Sequence, residues 1–274
     1  MLLAAMLFAA MQIIVKLSAA NIGIYEQVFS RNLISMGIAF FFIRKQHLPP
    51  LGTCKDQGLL FTRSLFGYMG VVMFFYAAKY ALQADVAILN RTSPAFVTLF
   101  AAIFLKEKIT RIQIPVILLC FGGAYISMRP AFDSNFLPLL LALLSAVTSG
   151  IAYTAVAYGK GRVSALTVIF HFSLFSTVVG GLQMIPSFVI PSARDALFLI
   201  LIGITGGFGQ IALTCAYQMA PAAEISIYQY TGIIFTALMG YWVLGETLTA
   251  TSVIGGLMIA GAALWSFRYH RRKK

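Results

Sequence analysis

The feature that most constrains this chain is an internal duplication. Shifting the sequence by 139 positions places the pattern Leu105-x-Glu107-x-x-Thr110 on Leu244-x-Glu246-x-x-Thr249. Each copy contains about five apolar runs that are long enough to cross a bilayer as helices. Because five is an odd number, the second copy is predicted to enter the membrane upside down relative to the first. We therefore expect an all-α membrane protein of ten transmembrane helices, built from two inverted five-helix repeats at residues 1–130 and 131–274.

The composition requires lipid as the solvent for most of the chain. Hydrophobic residues make up 60% of the 274 residues, charged residues make up 10%, and the mean hydropathy is +0.88, whereas a soluble domain carries about 25% charged residues. The first apolar run lacks a basic n-region and a small-residue cleavage site, so it is predicted to be a retained helix. The ten predicted spans have approximate bounds 2–20, 25–43, 59–79, 84–105, 110–128, 136–158, 164–185, 195–218, 222–244 and 249–267.

The formal net charge of +12 is explained by topology. Lys and Arg concentrate in the second, fourth and sixth loops and in the C-terminal tail, and the opposite side shows only Lys79, Arg129 and Arg194. Cytoplasmic loops carry this excess, so both termini are predicted to be cytoplasmic. The basic tail at 268–274 is suited to anionic lipid headgroups, and nucleic-acid binding is not expected.

Short patterns in both halves resemble the drug/metabolite transporter superfamily, in its EamA branch. The first half contributes the segment 76–85, then Ser93-Pro94, then 105–108, and the second half contributes 216–224 and 244–247. Arg129-Pro130 and the glycine-rich segment 206–210 are similar to those of nucleotide-sugar-transporter-like solute carriers. The resemblance covers essentially the whole chain. It implies ten helices, an inverted duplication and alternating access around a central cavity, and it does not specify a substrate.

Cationic side chains within the predicted spans are the first candidates for substrate binding, because ionisable groups in the bilayer are costly and commonly functional. They are Lys16, Arg31 and Arg91. With cytoplasmic termini, Arg31 and Arg91 each lie roughly 10 Å below the outer face at about 1.5 Å per residue. We expect them to line the outer half of a cavity beside Gln12 and Asn90. In the alternative, Lys16 snorkels to the headgroups and the arginines pair with Glu26 or Asp85.

A second, inner cluster follows from the repeat. Arg31 corresponds to His171 at a shift of 140, and Asn90-Arg91 correspond to Gln229-Tyr230. The other candidates at similar depth are Tyr153, Gln210 and Tyr228. Tyrosines are also common at membrane interfaces, and His171 is either pH-sensitive or a packing residue.

Two further positions have predicted structural roles. Pro94 is predicted to bend the fourth span near Arg91. Glu107 and Glu246 are predicted to cap helices or tether them, in preference to gating.

The sequence contains no constellation that would make this chain an enzyme. It has no Gly-x-x-x-x-Gly-Lys-Ser/Thr phosphate loop, so ATP-driven pumping is not expected. The three histidines are too scattered for a metal site, the three cysteines have no motif spacing, and no cofactor is predicted.

The predicted function is a secondary transporter of a small organic metabolite, anionic or zwitterionic, such as a carboxylate, a phosphate ester or an amino-acid-like molecule. Exchange or facilitated transport is favoured. The alternative is a proton-coupled exporter of drugs or organic cations, for which no Asp or Glu lies well inside a predicted span. The expected location is the bacterial inner membrane. The expected partners are the substrate and membrane lipids, with the chain as a monomer or homodimer.

Overall fold

The protein is a bundle of α-helices in the computed structural model, which describes residues 1–104, 112–128, 136–219, 229, 231–247 and 249–272. No strand occurs within these ranges. The helices are α1 (Leu2–Ser18), α2 (Ile24–Lys45), α3 (Gln57–Tyr80), α4 (Gln83–Asn90), α5 (Ser93–Phe104), α6 (Gln113–Met128), α7 (Phe136–Tyr158), α8 (Ala165–Met184), α9 (Ala193–Met219), α10 (Thr231–Leu244) and α11 (Ala250–Arg272).

Length and composition make this bundle an integral membrane protein. Among the residues that the structure describes, five helical stretches are long and apolar enough to cross a bilayer, namely Cys54–Tyr80, Asp85–Phe104, Phe136–Tyr158, Ala165–Ser187 and Ala193–Met219. Four shorter apolar helices accompany them. Large apolar side chains such as Leu118 and Leu257 project from the bundle surface. A surface of this kind is stable against acyl chains and unstable in water.

The fourth predicted span, 84–105, is two helices and not one. It is divided into α4 and α5 at Arg91 and Thr92. Pro94 has no N–H to donate to the carbonyl of Asn90, so the regular ladder cannot continue past it. The hydroxyl of Thr92 instead donates to the carbonyl of Leu89 at 2.7 Å. The helix is therefore interrupted next to Arg91, where the sequence predicted a bend.

One end of the bundle joins the turn after α1 to the α8–α9 connection. The amide of Asn21 donates to Asp195 at 3.5 Å, and the backbone N–H of Val189 donates to the carboxylate of Glu26 at 2.7 Å. Lys16, at the last turn of α1, meets the loop between α10 and α11 at this same end. We call this end, where Lys16 meets Glu246, the clasp end.

The opposite end lies where α2 finishes. There the hydroxyl of Thr167, at the start of α8, donates to the carbonyl of Pro49 at 2.8 Å. The side chain of Gln218, at the finish of α9, donates to the carbonyl of Val163 at 3.3 Å. The loops around Asn21, Pro49, Val163 and Val189, all within the described residues, therefore alternate between the two ends, as expected for a chain that crosses the bilayer repeatedly.

Helices of the two halves pack against each other throughout. α2 packs on α8 and α9, α3 packs on α7 and α8, α1 packs on α9 and α10, and α6 packs on α11. Small residues permit the closest approaches: a Cβ at Gly203 of α9 would lie 2.3 Å from Ile34 of α2. This interleaving places the core of the molecule at the junction of the halves.

Candidate functional site

A cavity of about 90 Å³ lies between the two halves. Its described lining comes from α1–α5, α7–α9 and Gln229, and includes no residue of α6 or α11. Seven of the residues predicted for substrate binding line it: Gln12, Arg31, Asn90, Arg91, Tyr153, Gln210 and Gln229. The principal residues that sequence reasoning did not propose are Arg63, Phe172 and the glycines of α3.

Arg31 is fixed on α2 by neighbours on two helices. It is 3% exposed, and its guanidinium donates to Asn32 at 3.1 Å and to Gln210 of α9 at 3.5 Å. Gly206 of α9 makes the room, because a Cβ there would approach Arg31 Cγ to 2.9 Å. The Nε of Arg31 is buried without a hydrogen-bond acceptor. Arg31 does not make the ion pair with Glu26 that was the alternative prediction, since that carboxylate accepts from Val189.

Arg63 is a second buried arginine, on α3, and it is also 3% exposed. Its Cζ lies 4.3 Å from the ring centroid of Phe172 and 5.7 Å from that of Tyr153. Gly67, one turn later on α3, leaves space for it, because a Cβ at that position would lie 2.0 Å from Arg63 Nη1. Within the described part of the chain, aromatic faces surround this guanidinium and no hydrogen-bond acceptor is paired with it.

Arg91 enters the cavity from the break between α4 and α5. Its guanidinium lies against Gly232 of α10, where a Cβ would come within 1.9 Å of Nη2. Arg31, Arg63 and Arg91 thus each lie against a glycine, where a larger residue would displace the arginine side chain.

Amides and hydroxyls hold the polar part of the lining in fixed orientations. Gln12 donates to the carbonyl of Gln83 at 3.0 Å, and Asn90 donates to the hydroxyl of Ser145 at 2.9 Å. These bonds cross between helices and so fix the side chains that face the cavity.

The second-half residues of the lining are also anchored. Gln210 donates to Thr214 at 3.0 Å while its oxygen accepts from Arg31. Gln229 donates to the hydroxyl of Tyr217 at 2.5 Å. Tyr217 stacks on Tyr153 with ring centroids 5.4 Å apart, so the Tyr153 ring contacts both Tyr217 and Arg63.

Lys16 was predicted to bind substrate, and the structure places it outside the cavity lining. Its Nζ lies 2.8 Å from Glu246 Oε1 and donates to the carbonyl of Ala81 at 2.7 Å. The other oxygen of Glu246 accepts the backbone N–H of Gln83 at 2.8 Å. Gly245, with φ of 68°, turns the chain after α10 so that Glu246 reaches these partners. We name Lys16, Ala81, Gln83 and Glu246 the clasp.

The clasp assigns Glu246 the role of a tether between helices, one of its two predicted structural roles. A neighbouring contact strengthens the same end of the bundle: the hydroxyl of Ser252 donates to the carboxylate of Asp85, and Ser252 is linked in turn to Thr249 at 2.6 Å. The repeat partner Glu107 lies outside the described residues.

The remaining predicted site residues lie elsewhere. His171 shares a hydrogen bond of 2.8 Å between its Nδ1 and the hydroxyl of Ser64, and it is not among the described lining residues. Tyr228 and Tyr230 lie outside the described residues.

Carboxylates and metal ligands are missing from the described lining. No Asp or Glu of the ranges given above lines the cavity, and the buried acids Glu26, Asp85 and Asp195 have hydrogen-bond partners elsewhere. The same ranges contain no group of three or more His, Cys, Asp or Glu that could hold a metal ion. The positive charge of Arg31 and Arg63 is therefore not balanced by any described acid of the lining.

A membrane-embedded helical bundle around a polar cavity defines a transporter-like protein. Residues 1–129 and 136–268 each match the model of the EamA-like transporter family. The chain therefore belongs to that family, and the predicted membership in the drug/metabolite transporter superfamily is confirmed.

Individual proteins agree with this family. The pseudopaline exporter CntI of Pseudomonas aeruginosa is 30% identical over 266 residues, which cover 96% of this chain and 92% of the exporter. Solute carrier family 35 member G1 of Mus musculus is 28% identical over 228 residues, covering 75% of this chain and 60% of that protein. A solved crystal structure shares the fold with a TM-score of 0.72 at 17% identity, covering 99% of this chain and 98% of the other.

Proposed function

We propose that this protein is a secondary transporter that moves a small organic anion or zwitterion across the bacterial inner membrane by alternating access. The observation that carries the proposal is the pair Arg31 and Arg63, both buried, in a cavity whose described lining contains no acid. Family membership supports a role in transport, and the uncompensated positive charge of the cavity supports a negatively charged substrate.

Electrostatics explains why such a cavity favours anions. An ionised group removed from water loses several kcal/mol of solvation unless an opposite charge replaces it. Here two like charges are close to the same aromatic ring, and each raises the energy of the other. An anionic substrate relieves both penalties when it enters, because surplus positive charge between low-dielectric walls concentrates anions.

The inverted repeat gives this site a way to open at alternate ends. We propose that residues 1–130 and 131–274 are two five-helix units of opposite orientation. In support, the repeat makes α7, α8 and α9 the counterparts of α1, α2 and α3, and the contacts follow this correspondence. α1 packs on α9 as its counterpart α7 packs on α3, and α2 packs on α9 as its counterpart α8 packs on α3. The two matches to one family model fall in the two halves.

The clasp is the closure of one end in this mechanism. It joins Lys16 and Gln83 of the first half to Glu246 of the second half. Substrate could pass this end only after those contacts separate. With both termini cytoplasmic, as the charge distribution predicts, the clasp end faces outward.

Export of organic cations is the weaker alternative. Such a site needs an acid that attracts the cation, and the described lining offers arginines instead. The similarity to an exporter of pseudopaline favours outward movement of the substrate.

Counterflow in proteoliposomes tests the proposal. Vesicles are loaded with a mixture of unlabelled organic acids, and uptake of each labelled acid is compared with uptake of labelled lipophilic cations. We expect trans-stimulated uptake of at least one anion, its loss in Arg91→Ala, and no competition by the cations. Accumulation of cations without anion competition would contradict the charge assignment, and flux without trans-stimulation would contradict a carrier mechanism.

A further inference from the structure

Two guanidinium groups converge on a single aromatic ring in the cavity. The Cζ of Arg63 lies 4.3 Å from the Phe172 ring centroid, and the Cζ of Arg31 lies 5.8 Å from the same centroid. The arginines come from α2 and α3 and the ring comes from α8. Arg31, Arg63 and Phe172 also line the same cavity, so a small molecule bound there would be close to both guanidinium groups.

The two groups differ in how many of their donors are already used. Arg31 donates to Asn32 and Gln210, which leaves its Nε without a partner. Arg63 has ring contacts only, and aromatic faces accept no ordinary N–H bond of full strength. The N–H donors of its planar guanidinium are thus not used by the described residues, and two of them can bind the two oxygens of a carboxylate or phosphate at once.

Glycine at two positions shows that this arrangement is built into the helices. Gly67 lies against the guanidinium of Arg63, and Gly206 lies against the stem of Arg31, so neither arginine could occupy its place beside a larger residue. Both arginines are buried and line the cavity in the space that these glycines leave.

We propose that Arg31 and Arg63 form one recognition site for a doubly charged anionic group, with Arg63 as the bidentate anchor and Arg31 as its partner. The group is either a pair of neighbouring carboxylates or a phosphate monoester, since both present two negative charges over a short distance. This inference rests on the proposed function and adds that the recognised part of the substrate carries two negative charges. A single carboxylate would neutralise one guanidinium and leave the other uncompensated.

Thermal unfolding of the purified protein in detergent tests the proposal without transport. A ligand that binds only the folded state raises the unfolding temperature in proportion to its occupancy. The probes are malonate, inorganic phosphate and acetate at matched ionic strength. The variants are Arg63→Gln and Arg31→Gln, with Lys79→Gln as the matched control, because it also removes one positive charge from α3 but lies outside the described lining.

We expect malonate or phosphate to stabilise the wild type at concentrations about 10-fold lower than acetate. In Arg63→Gln the apparent affinity for the dianion should fall by about 10- to 100-fold, as for loss of a charge-assisted hydrogen-bonded pair, and the preference over acetate should disappear. Lys79→Gln should retain both. A response to malonate alone identifies paired carboxylates, and a response to phosphate alone identifies a phosphate monoester.

Other results would overturn the inference. Equal stabilisation by acetate and malonate would indicate a site for one charge, and no response to any probe would mean that the arginines bind no small anion. A protein that binds the dianions with the expected pattern but shows no counterflow would contradict the proposed function and leave this assignment standing, so the two failures are distinguishable.

Discussion

Arg63 and Lys16 are both basic residues within helices of the bundle, and they have opposite surroundings. Lys16 is supplied with its own counter-ion, Glu246, and with a carbonyl acceptor, Ala81. Arg63 is supplied with rings and a glycine, and with no acid among the residues that the structure describes. A cation that is paired within the protein stabilises a joint between helices, whereas a cation without such a partner is available to a ligand. Lys16 and Arg63 are both cations, so it is the neighbouring residues that distinguish a structural contact from a candidate binding group.

The largest effect should come from Gly67→Ala, which tests whether the Arg63 guanidinium must occupy its present place. The added Cβ would lie 2.0 Å from Arg63 Nη1 and 3.0 Å from the Phe172 ring, so the guanidinium must leave its present position. We expect substrate affinity to fall by about 100-fold, the equivalent of roughly 2.7 kcal/mol, measured by thermal stabilisation or counterflow.

Gly58→Ala on the same helix is the control. A Cβ at Gly58 meets nothing within 4 Å, so this variant should transport like the wild type. If Gly67→Ala also transports normally while remaining folded, the position of Arg63 does not affect transport. That result would contradict the claim that Arg63, unlike Lys16, is available to a ligand.

An intermediate effect is expected from separating the clasp. Lys16→Met or Glu246→Gln removes a partly buried ion pair and leaves the remaining charge without its counter-ion, which should destabilise the closed end by about 1–3 kcal/mol. The measurement is the rate at which a membrane-impermeant thiol reagent applied outside labels Ala87→Cys in the cavity, with Cys54, Cys120 and Cys215 replaced. We expect labelling to accelerate about 10-fold in either variant.

The exchange variant Lys16→Glu with Glu246→Lys supplies the control for the clasp. It restores opposite charges at the same two positions, so labelling should return toward the wild-type rate. Unchanged labelling in the single variants, with lower expression, would instead assign Lys16 to snorkelling alone.

The smallest effect should come from His171→Asn. His171 bonds to Ser64 and is absent from the described lining, and an amide can keep that hydrogen bond. We expect transport to change by less than about 2-fold, well below one tenfold step of 1.4 kcal/mol, with the same dependence on pH as the wild type. A lost or shifted pH dependence would place His171 in a proton pathway and would enlarge the site beyond the arginines.

The sequence predicted the all-helical membrane fold and much of the cavity lining because both depend on local patterns. Apolar length fixes a span in lipid, and Pro94 fixes the interruption of the fourth span through its missing N–H. Arg31, Asn90 and Gln210 followed from depth within a span. These inferences require only the position of a residue along its own helix.

Contacts between residues far apart in the sequence could not be predicted from local patterns. Arg63 lies only six residues after the start of α3, close to the basic second loop, so its depth within the span did not single it out. The Arg63-x-x-x-Gly67 spacing is the pattern that could have revealed a guanidinium lying along its own helix. Lys16 meets Glu246, which is 230 positions later, and no local pattern identifies that partner. At the shift that pairs Arg31 with His171, the counterpart of Lys16 is Val156, so the duplication offered no guidance either.

The division of the fourth span has a mechanical consequence. α4 is a rod of eight residues, roughly 12 Å long, with Gln83 held by Glu246 at one tip and Asn90 and Arg91 in the cavity at the other. Thr92 is the joint between α4 and α5: its N–H donates to the carbonyl of Leu89 at 3.1 Å, and its carbonyl accepts from Ala95 at 2.9 Å, while Pro94 donates no N–H. The fourth span therefore bends most easily at this joint, where the regular helical hydrogen bonding is interrupted. A displacement of Glu246 would be transmitted along α4 to Asn90 and Arg91 at the cavity, and a molecule bound in the cavity would act on Glu246 along the same path.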